Sequence, residues 1–68
     1  MVKINKNIIY YITEDLEEKT GFFLNIKTGQ MLKIDSIGVD YFYQILNAKN
    51  KKDVKDLLEF FEGTDIFE

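Results

Sequence analysis

The chain has 68 residues, of which 46% are hydrophobic and 31% are charged, and its formal net charge is −3. This composition suits one small globular domain over residues 1–68 and argues against a disordered tail or a two-domain enzyme. The sequence contains no Cys and no His, which excludes thiol nucleophiles, Ser-His and Cys-His pairs, Cys/His zinc sites and haem ligation. We therefore expect a non-enzymatic protein without a cofactor, stabilised by packing, a partner chain or a bound ligand.

The basic residues and the apolar runs indicate which partners to expect. All nine basic residues are Lys, and the absence of Arg argues against sequence-specific nucleic-acid binding, because Arg supplies the bidentate fork that reads guanine and clamps phosphate. The longest apolar run, Ile8–Ile12, is too short to span a bilayer, and residues 1–5 lead into no signal-peptide core. The sequence therefore predicts a cytoplasmic protein that binds neither nucleic acid nor membrane.

The first half of the chain has the residue pattern of β-strands. Asn7–Thr13 is rich in β-branched and aromatic residues and is too short for an independent helix, which favours a strand. Glu14–Gly21 is interpreted as a solvated connection. Its four carboxylates lack the alternating spacing and central Gly of a calcium loop, so we expect no metal site there.

The second and third strands are predicted to form a hairpin around Lys27–Gly29. A three-residue loop with Gly29 in the left-handed position closes a type I turn with a bulge. A two-residue loop would place apolar residues opposite Lys33 and Asp35, so the three-residue loop is favoured because it keeps one apolar face. The predicted pairs are Phe22–Ile34, Leu24–Leu32 and Ile26–Gln30.

The second half of the chain has helical periodicity. Asp35 or Ser36 can cap a first helix, and Asn50 or Asp53 can cap a second that stops at Gly63. The apolar faces of these helices are Val39, Phe42, Ile45 and Leu46, and then Val54, Leu57, Leu58 and Phe61. The predicted fold class is α+β, with a three-stranded antiparallel sheet followed by two or three helices in a winged-helix-like arrangement.

The hairpin Phe23–Asp35, followed by Gly38 and by Phe42–Leu46, resembles the PqqD-like domains, also called RiPP recognition elements. These are small winged-helix modules that bind the leader peptides of ribosomally made precursor peptides. The resemblance covers roughly Ile8–Phe61 and depends on the spacing of turn, Gly and apolar positions. It implies three antiparallel strands and three helices, with the leader peptide added as a strand to the edge of the third strand and its side chains in a groove against the third helix.

The chain departs from the family pattern in its helical part, where there is room for two full helices only. Either Lys51–Phe61 matches the family's second helix and the third is absent, or Asp53–Phe61 matches the third helix and the second has been lost. The two alternatives place different helices beside the expected groove.

The edge of the third strand is the predicted binding site. An unpartnered strand presents free N–H and C=O groups that an extended peptide can satisfy by strand addition. Leu32 and Ile34 are expected to point toward the helices, and Met31 and Lys33 to point away from them. The predicted peptide-binding residues are Gln30, Met31, Leu32, Lys33, Ile34, Lys55, Leu57, Phe60 and Phe61; no catalytic or metal-binding residue is predicted.

A structural explanation competes with each of these assignments. The apolar candidates other than Phe60 are expected to serve the core first, because a small domain needs every apolar residue it has. Lys33 and Lys55 can attract an acidic peptide, or they can simply keep the protein soluble. Gly38, near a helix start, is expected to permit the close approach of a strand or of Tyr10 and Tyr11.

The leading hypothesis is a non-catalytic chaperone that binds a precursor leader peptide and presents it to a separate modifying enzyme, such as a maturase or a leader peptidase. The first alternative is a winged-helix DNA-binding protein, although Asp53–Glu62 carries four carboxylates against Lys55 alone. The second is a small dimeric regulatory protein in which a twin subunit covers an apolar patch formed by Phe60, Phe61, Ile66 and Phe67.

Overall fold

Six elements of regular structure follow one another along the chain, and the three strands form one antiparallel sheet in the order β1-β2-β3. They are β1 (Ile8–Asp15), β2 (Glu18–Asn25), β3 (Met31–Ile34), α1 (Ser36–Asn47), a 3₁₀ helix (Lys51–Val54) and α2 (Lys55–Phe60). This is a computed structural model that describes residues 2–68; Met1, part of the stretch searched for a signal peptide, lies outside them. The predicted α+β class, with a three-stranded antiparallel sheet followed by helices, is confirmed.

The first hairpin is longer than the sequence pattern predicts. Glu14–Gly21, which we expected to be a connection, continues both strands, and only Leu16 and Glu17 separate them. Leu16 takes up the left-handed turn conformation with a φ of 55°. Glu14 lies opposite Lys19 in the ladder, and cross-strand pairs of opposite charge favour strand pairing. The predicted connection is wrong because an exposed hairpin end accommodates charged side chains.

The register of β2 with β3 differs by one residue from the predicted one. The observed pairs are Gly21–Ile34, Phe22–Lys33, Phe23–Leu32 and Leu24–Met31. Asn25 explains the difference, since its Oδ1 accepts hydrogen bonds from the N–H groups of Lys27 at 3.0 Å and Thr28 at 3.2 Å. The Gly29 N–H also donates to the Asn25 carbonyl at 2.7 Å, and Gly29 has the expected positive φ of 77°. The predicted three-residue loop is wrong because Asn25 organises a longer turn.

The shifted register exchanges the two faces of β2. Phe23 and Asn25 are buried, whereas Phe22 is partly exposed on the opposite face. A Cβ atom built on Gly21 would lie 2.8 Å from Cγ1 of Ile34, so the absence of a side chain at this position makes room for Ile34. Phe22, Leu24 and Ile26 share one face of the sheet as predicted, but this face is the outer one. The predicted common face with Leu32 and Ile34 is wrong, because Leu32 and Ile34 point toward the helices.

The helices cover the inner face of the sheet. Phe42 of α1 lies at the centre of the core, with its ring centroid 5.0 Å from that of Phe23 and 5.1 Å from that of Tyr10. The buried core consists of Val2, Phe23, Ile34, Val39, Phe42, Ile45, Val54, Phe61 and Ile66. The predicted inward face of α1 is confirmed for Val39, Phe42 and Ile45.

Side-chain caps fix the helix starts. Oδ1 of Asp35 accepts a hydrogen bond from the Gly38 N–H at 3.0 Å, and Oδ1 of Asn50 accepts one from the Asp53 N–H at 3.2 Å. The second helical segment begins as the 3₁₀ helix and then forms six α-helical residues. Gly63, with a φ of 82°, follows this segment, as its predicted role as a stop signal requires.

The C-terminal tail pairs with the N-terminal segment. Ile4 forms a bridge with Phe67, the Asn5 N–H donates to the Ile66 carbonyl at 2.8 Å, and the Glu68 N–H donates to the Lys3 carbonyl at 2.9 Å. This pairing buries Ile66, and Phe61 is buried as well. The predicted exposed patch of Phe60, Phe61, Ile66 and Phe67 is therefore wrong, because two of its members belong to the core.

Lys19 joins the start of β2 to α1. Its N–H donates to Oγ of Ser36 at 2.7 Å, and its Nζ lies 2.8 Å from Oδ1 of Asp40. The hydrogen bond that the Lys19 ammonium donates to Asp40, followed by the attraction of the Asp40 carboxylate charge, raises the pKa of Lys19. The contacts hold the first turns of α1 against the sheet.

The Lys19 ion pair should make stability depend on pH in the alkaline range. Because the folded-state pKa of Lys19 is raised, its stabilisation is complete below the unfolded-state pKa of about 10.4 and is lost as the pH rises through the folded-state pKa. The thermal unfolding midpoints of the wild type and of Lys19→Gln should therefore differ near pH 8 and converge toward about pH 12. A difference that stays constant across this range would contradict the assignment.

Replacement of Asn25 by Ala should weaken the β2–β3 turn. The N–H groups of Lys27 and Thr28 lose their acceptor, so the free energy of unfolding in urea should fall by about 1–2 kcal/mol. Thr28→Ala is the matched control in the same turn, since it removes only an exposed hydrogen bond to the Gln30 N–H and should cost less than about 0.5 kcal/mol. Equal losses in the two variants would contradict the role of Asn25.

Candidate peptide-binding site

β3 is an edge strand of the sheet, and its backbone is the first component of the site. In an antiparallel ladder the residues of a strand bond alternately to one neighbour and to the opposite side. The Asn25 N–H donates to the carbonyl of Gln30 at 2.9 Å, so Gln30 faces β2. By alternation, Leu32 and Ile34 also direct their backbone groups to β2.

The backbone N–H and C=O groups of Met31 and Lys33 consequently point away from β2. Within residues 2–68, no hydrogen bond from the helices, the loops or the tail reaches the backbone of either residue. The edge is therefore open over the length of β3, and it offers two donors and two acceptors in the spacing of a strand.

A groove of about 450 Å³ lies beside this edge, and we call it the β3 groove. Its lining residues are Thr20, Leu32, Lys33, Ile34, Asp35 and Phe60. β3 supplies one wall, and the end of α2 supplies the other through the ring of Phe60. The β3 groove thus combines an open strand edge with an apolar wall.

Gly38 determines where the ring of Phe60 lies. A Cβ atom built on Gly38 would lie 3.0 Å from Cβ of Ile34 and 3.1 Å from Cε1 of Phe60. The ring also forms edge-to-face contacts with Tyr41 and Phe61, at centroid distances of 5.5 Å and 5.0 Å. Phe60 nevertheless remains 48% exposed. The expected approach of a strand to Gly38 is confirmed, and the neighbour at the helix side is Phe60 rather than Tyr10 or Tyr11.

Most of the residues predicted from the β3 segment lie at the β3 groove. Leu32, Lys33 and Ile34 line it together with Phe60, and Met31 contributes its backbone while its side chain is exposed on the outer face of the sheet. Gln30 lies at the other end of β3, where it borders a smaller cavity of about 90 Å³ next to Glu62–Thr64. The structure therefore brings together the strand edge and the one aromatic residue singled out beside it.

The other three predicted residues lie away from the β3 groove. Phe61 is buried in the core, and Leu57 is half-buried and packs against the core. Lys55 lines a separate concavity with Lys51 and Lys52. Successive residues of a helix lie about 100° apart, so Phe60 and Phe61 cannot both face the same groove.

Two groove residues escaped the sequence analysis. The sequence pattern places Thr20 in a connection, but Thr20 lines the groove because β2 begins earlier than predicted. Asp35 was considered only as a helix cap, and its carboxylate does cap α1. The position of Asp35 directly after β3 was the available signal for its place at the groove.

The charges of the β3 groove are few and of opposite sign. Lys33 contributes an ammonium, whose Nζ lies 6.0 Å from the centroid of the Phe22 ring, and Asp35 contributes a carboxylate. Because the Asp35 carboxylate is engaged with the Gly38 N–H, the groove is suited to backbone pairing and apolar contact more than to the recognition of charge.

None of the helices formed by residues 2–68 has the length and apolar character needed to cross a membrane.

Comparisons of the chain with family models, curated proteins and solved structures find no match. The assignment of the site therefore depends on the geometry of β3 and its groove.

Alanine substitutions at the two neighbouring aromatic residues should separate the groove wall from the core. Phe61 is buried, so Phe61→Ala should lower the free energy of unfolding by about 3–5 kcal/mol. Phe60 is half-exposed, so Phe60→Ala should cost only about 1–2 kcal/mol. Urea unfolding measures both values, and a larger loss in Phe60→Ala than in Phe61→Ala would show that Phe60 is a core residue.

Proposed function

We propose that this chain is a non-catalytic peptide-binding protein that accepts an extended peptide as a further strand beside β3. The observation that supports this function best is the open backbone of Met31 and Lys33 next to the apolar wall formed by Phe60. Strand addition requires a free edge for the peptide backbone and pockets for alternate side chains. The β3 groove provides both.

The geometry of a sheet specifies how such a peptide lies. Its backbone runs about 4.8 Å from β3 and pairs with the N–H and C=O groups of Met31 and Lys33. Its side chains alternate between the two faces. Those on the inner face enter the β3 groove beside Leu32, Ile34 and Phe60, and those on the outer face lie beside the side chains of Met31 and Lys33.

Backbone hydrogen bonds alone provide too little free energy for micromolar peptide binding. Four hydrogen bonds at about 1 kcal/mol each contribute about 4 kcal/mol, whereas a micromolar dissociation constant corresponds to about 8 kcal/mol. One or two apolar side chains buried in the groove add about 1.5–3 kcal/mol each. The apolar contacts with Leu32, Ile34 and Phe60 therefore decide whether a peptide binds usefully, and they supply the selectivity that backbone pairing lacks.

Among extended peptides, we propose that the ligand of this chain is the leader segment of a ribosomally synthesised precursor peptide. The resemblance of Phe23–Asp35 and Gly38 to PqqD-like domains supports this choice. In this function the chain binds the leader at β3 and presents the rest of the precursor to a separate modifying enzyme, a maturase or a leader peptidase. A carrier of this kind needs no catalytic group of its own.

Replacement of Lys33 by Pro tests strand addition at the backbone. The Lys33 N–H points away from β2, so Pro removes a donor from the edge without removing a hydrogen bond from the sheet. The probes are extended peptides selected for binding to the wild type from a random display library. We expect Lys33→Pro to weaken binding at least tenfold in calorimetric titrations, because a carbonyl group of the bound strand loses the N–H donor of Lys33.

Two variants control this experiment. Lys33→Gln removes the charge and keeps the N–H, so its affinity should stay within a few-fold of the wild type. Glu14→Pro makes the same backbone change on the outward side of β1, the opposite edge, and should leave binding unchanged. Unaltered binding to Lys33→Pro, or unchanged exchange rates of the Met31 and Lys33 amides in saturating peptide, would show that peptides do not add to β3.

A further inference from the structure

The outer face of the sheet, on the side away from the helices, is apolar and exposed. We call it the outer patch, and its residues are Ile9, Tyr11, Phe22, Leu24, Ile26 and Met31. All but the half-buried Leu24 are exposed: Ile9 by 58%, Tyr11 by 68%, Phe22 by 39%, Ile26 by 57% and Met31 by 75%. The helices cover the other face, so nothing in residues 2–68 covers this one.

The sheet register makes the outer patch continuous. Ile9, Leu24 and Met31 lie side by side across the three strands, and Tyr11, Phe22 and Lys33 form the next row. Directly opposite residues have Cβ atoms about 5 Å apart, so the side chains of each row follow one another across the sheet without a gap. Lys33 lies at the end of the second row and is the one charged residue of the two rows.

The area of the outer patch approaches what one partner contributes to a stable protein interface. Five side chains of roughly 200 Å² each, exposed to the extents given above, present about 600 Å² of accessible surface. The whole chain has 5119 Å² of accessible surface. Stable interfaces bury about 800 Å² per partner, roughly a tenth of a small protein's surface, and a patch of 600 Å² is at the upper end for a monomer.

We propose that a second copy of this chain covers the outer patch in a face-to-face dimer of two sheets. Aligned sheets pack about 10 Å apart with their apolar side chains interdigitated. A twofold axis parallel to β2 places Leu24 against its own copy and Ile9 against the partner's Met31. The dimer then has a layer order of helices, sheet, sheet and helices, with each outer patch buried.

The position of Lys33 favours a second copy over other occupants. The same twofold axis places Lys33 over the ring of the partner's Tyr11, while its Nζ already lies 6.0 Å from the Phe22 centroid. An ammonium over an aromatic ring is stabilised by a cation–π interaction, so the one charge of the patch has a partner in the dimer. A hydrocarbon surface would leave that charge without one. This inference does not depend on the proposed function, because the dimer buries the outer face of the sheet, whereas a bound peptide pairs with the backbone edge of β3.

Sedimentation and a single-cysteine crosslink test the dimer and its interface. The wild type should sediment at twice the 8.0 kDa of one chain at micromolar concentration. Tyr11→Lys places a second ammonium next to the partner's Lys33 and should raise the dimer dissociation constant about 100-fold or more; Ile9→Glu, opposite the partner's Met31, should do the same. Both residues are exposed, so circular dichroism should show that both variants stay folded.

The sequence contains no Cys, so an introduced thiol reports one contact. Leu24→Cys lies on the twofold axis and should form a disulfide-linked dimer on mild oxidation, whereas Gln44→Cys, exposed on α1, should not. A mass of one chain at all concentrations would overturn the proposal, as would a dimer that persists in Ile9→Glu. Crosslinking through Gln44→Cys but not Leu24→Cys, or binding of the monomer to lipid vesicles through the outer patch, would also overturn it.

Discussion

Ile34 packs between two glycines, and the rest of the structure depends on this contact. On the sheet side, Gly21 leaves room for Cγ1 of Ile34, and on the helix side Gly38 leaves room for its Cβ. The first contact sets the register of β3 against β2, since Ile34 is paired with Gly21. The second allows the ring of Phe60 to lie against α1 beside β3. One buried side chain thus positions both walls of the β3 groove.

The protein has two kinds of open surface, and they differ in the chemistry they offer. The edge of β3 offers directional hydrogen bonds to a backbone, which any extended peptide can make. The outer patch offers apolar area without direction, which favours a broad and complementary surface. A small domain without disulfides has little stability to spare. A bound strand at the edge and a second sheet on the outer patch would each add to that stability through mass action.

The sequence predicts the order of elements, the apolar face of α1 and the helix caps, because helical spacing and capping residues are local signals. Asp35 and Asn50 both act as caps. The register of the β2–β3 hairpin could not be predicted from apolar alternation, since Phe22, Phe23 and Leu24 are apolar on both faces. Gly21 and Asn25 carried the decisive information, through a close contact and a turn. The strand edge of the site followed from the element order, whereas the choice between Phe60 and Phe61 required the orientation of α2.

The pairing of Lys3, Ile4 and Asn5 with the last three residues has a mechanical consequence. These segments run antiparallel, and both ends of the described chain leave from the same side of the pairing. A force that separates the two ends therefore loads the hydrogen bonds one after another, as in an unzipping geometry, and resistance is low. Rupture at this point exposes Ile66 to water while the three-stranded sheet is still intact. The core would thus open at this pairing under tension, before either β3 or the outer patch is disturbed.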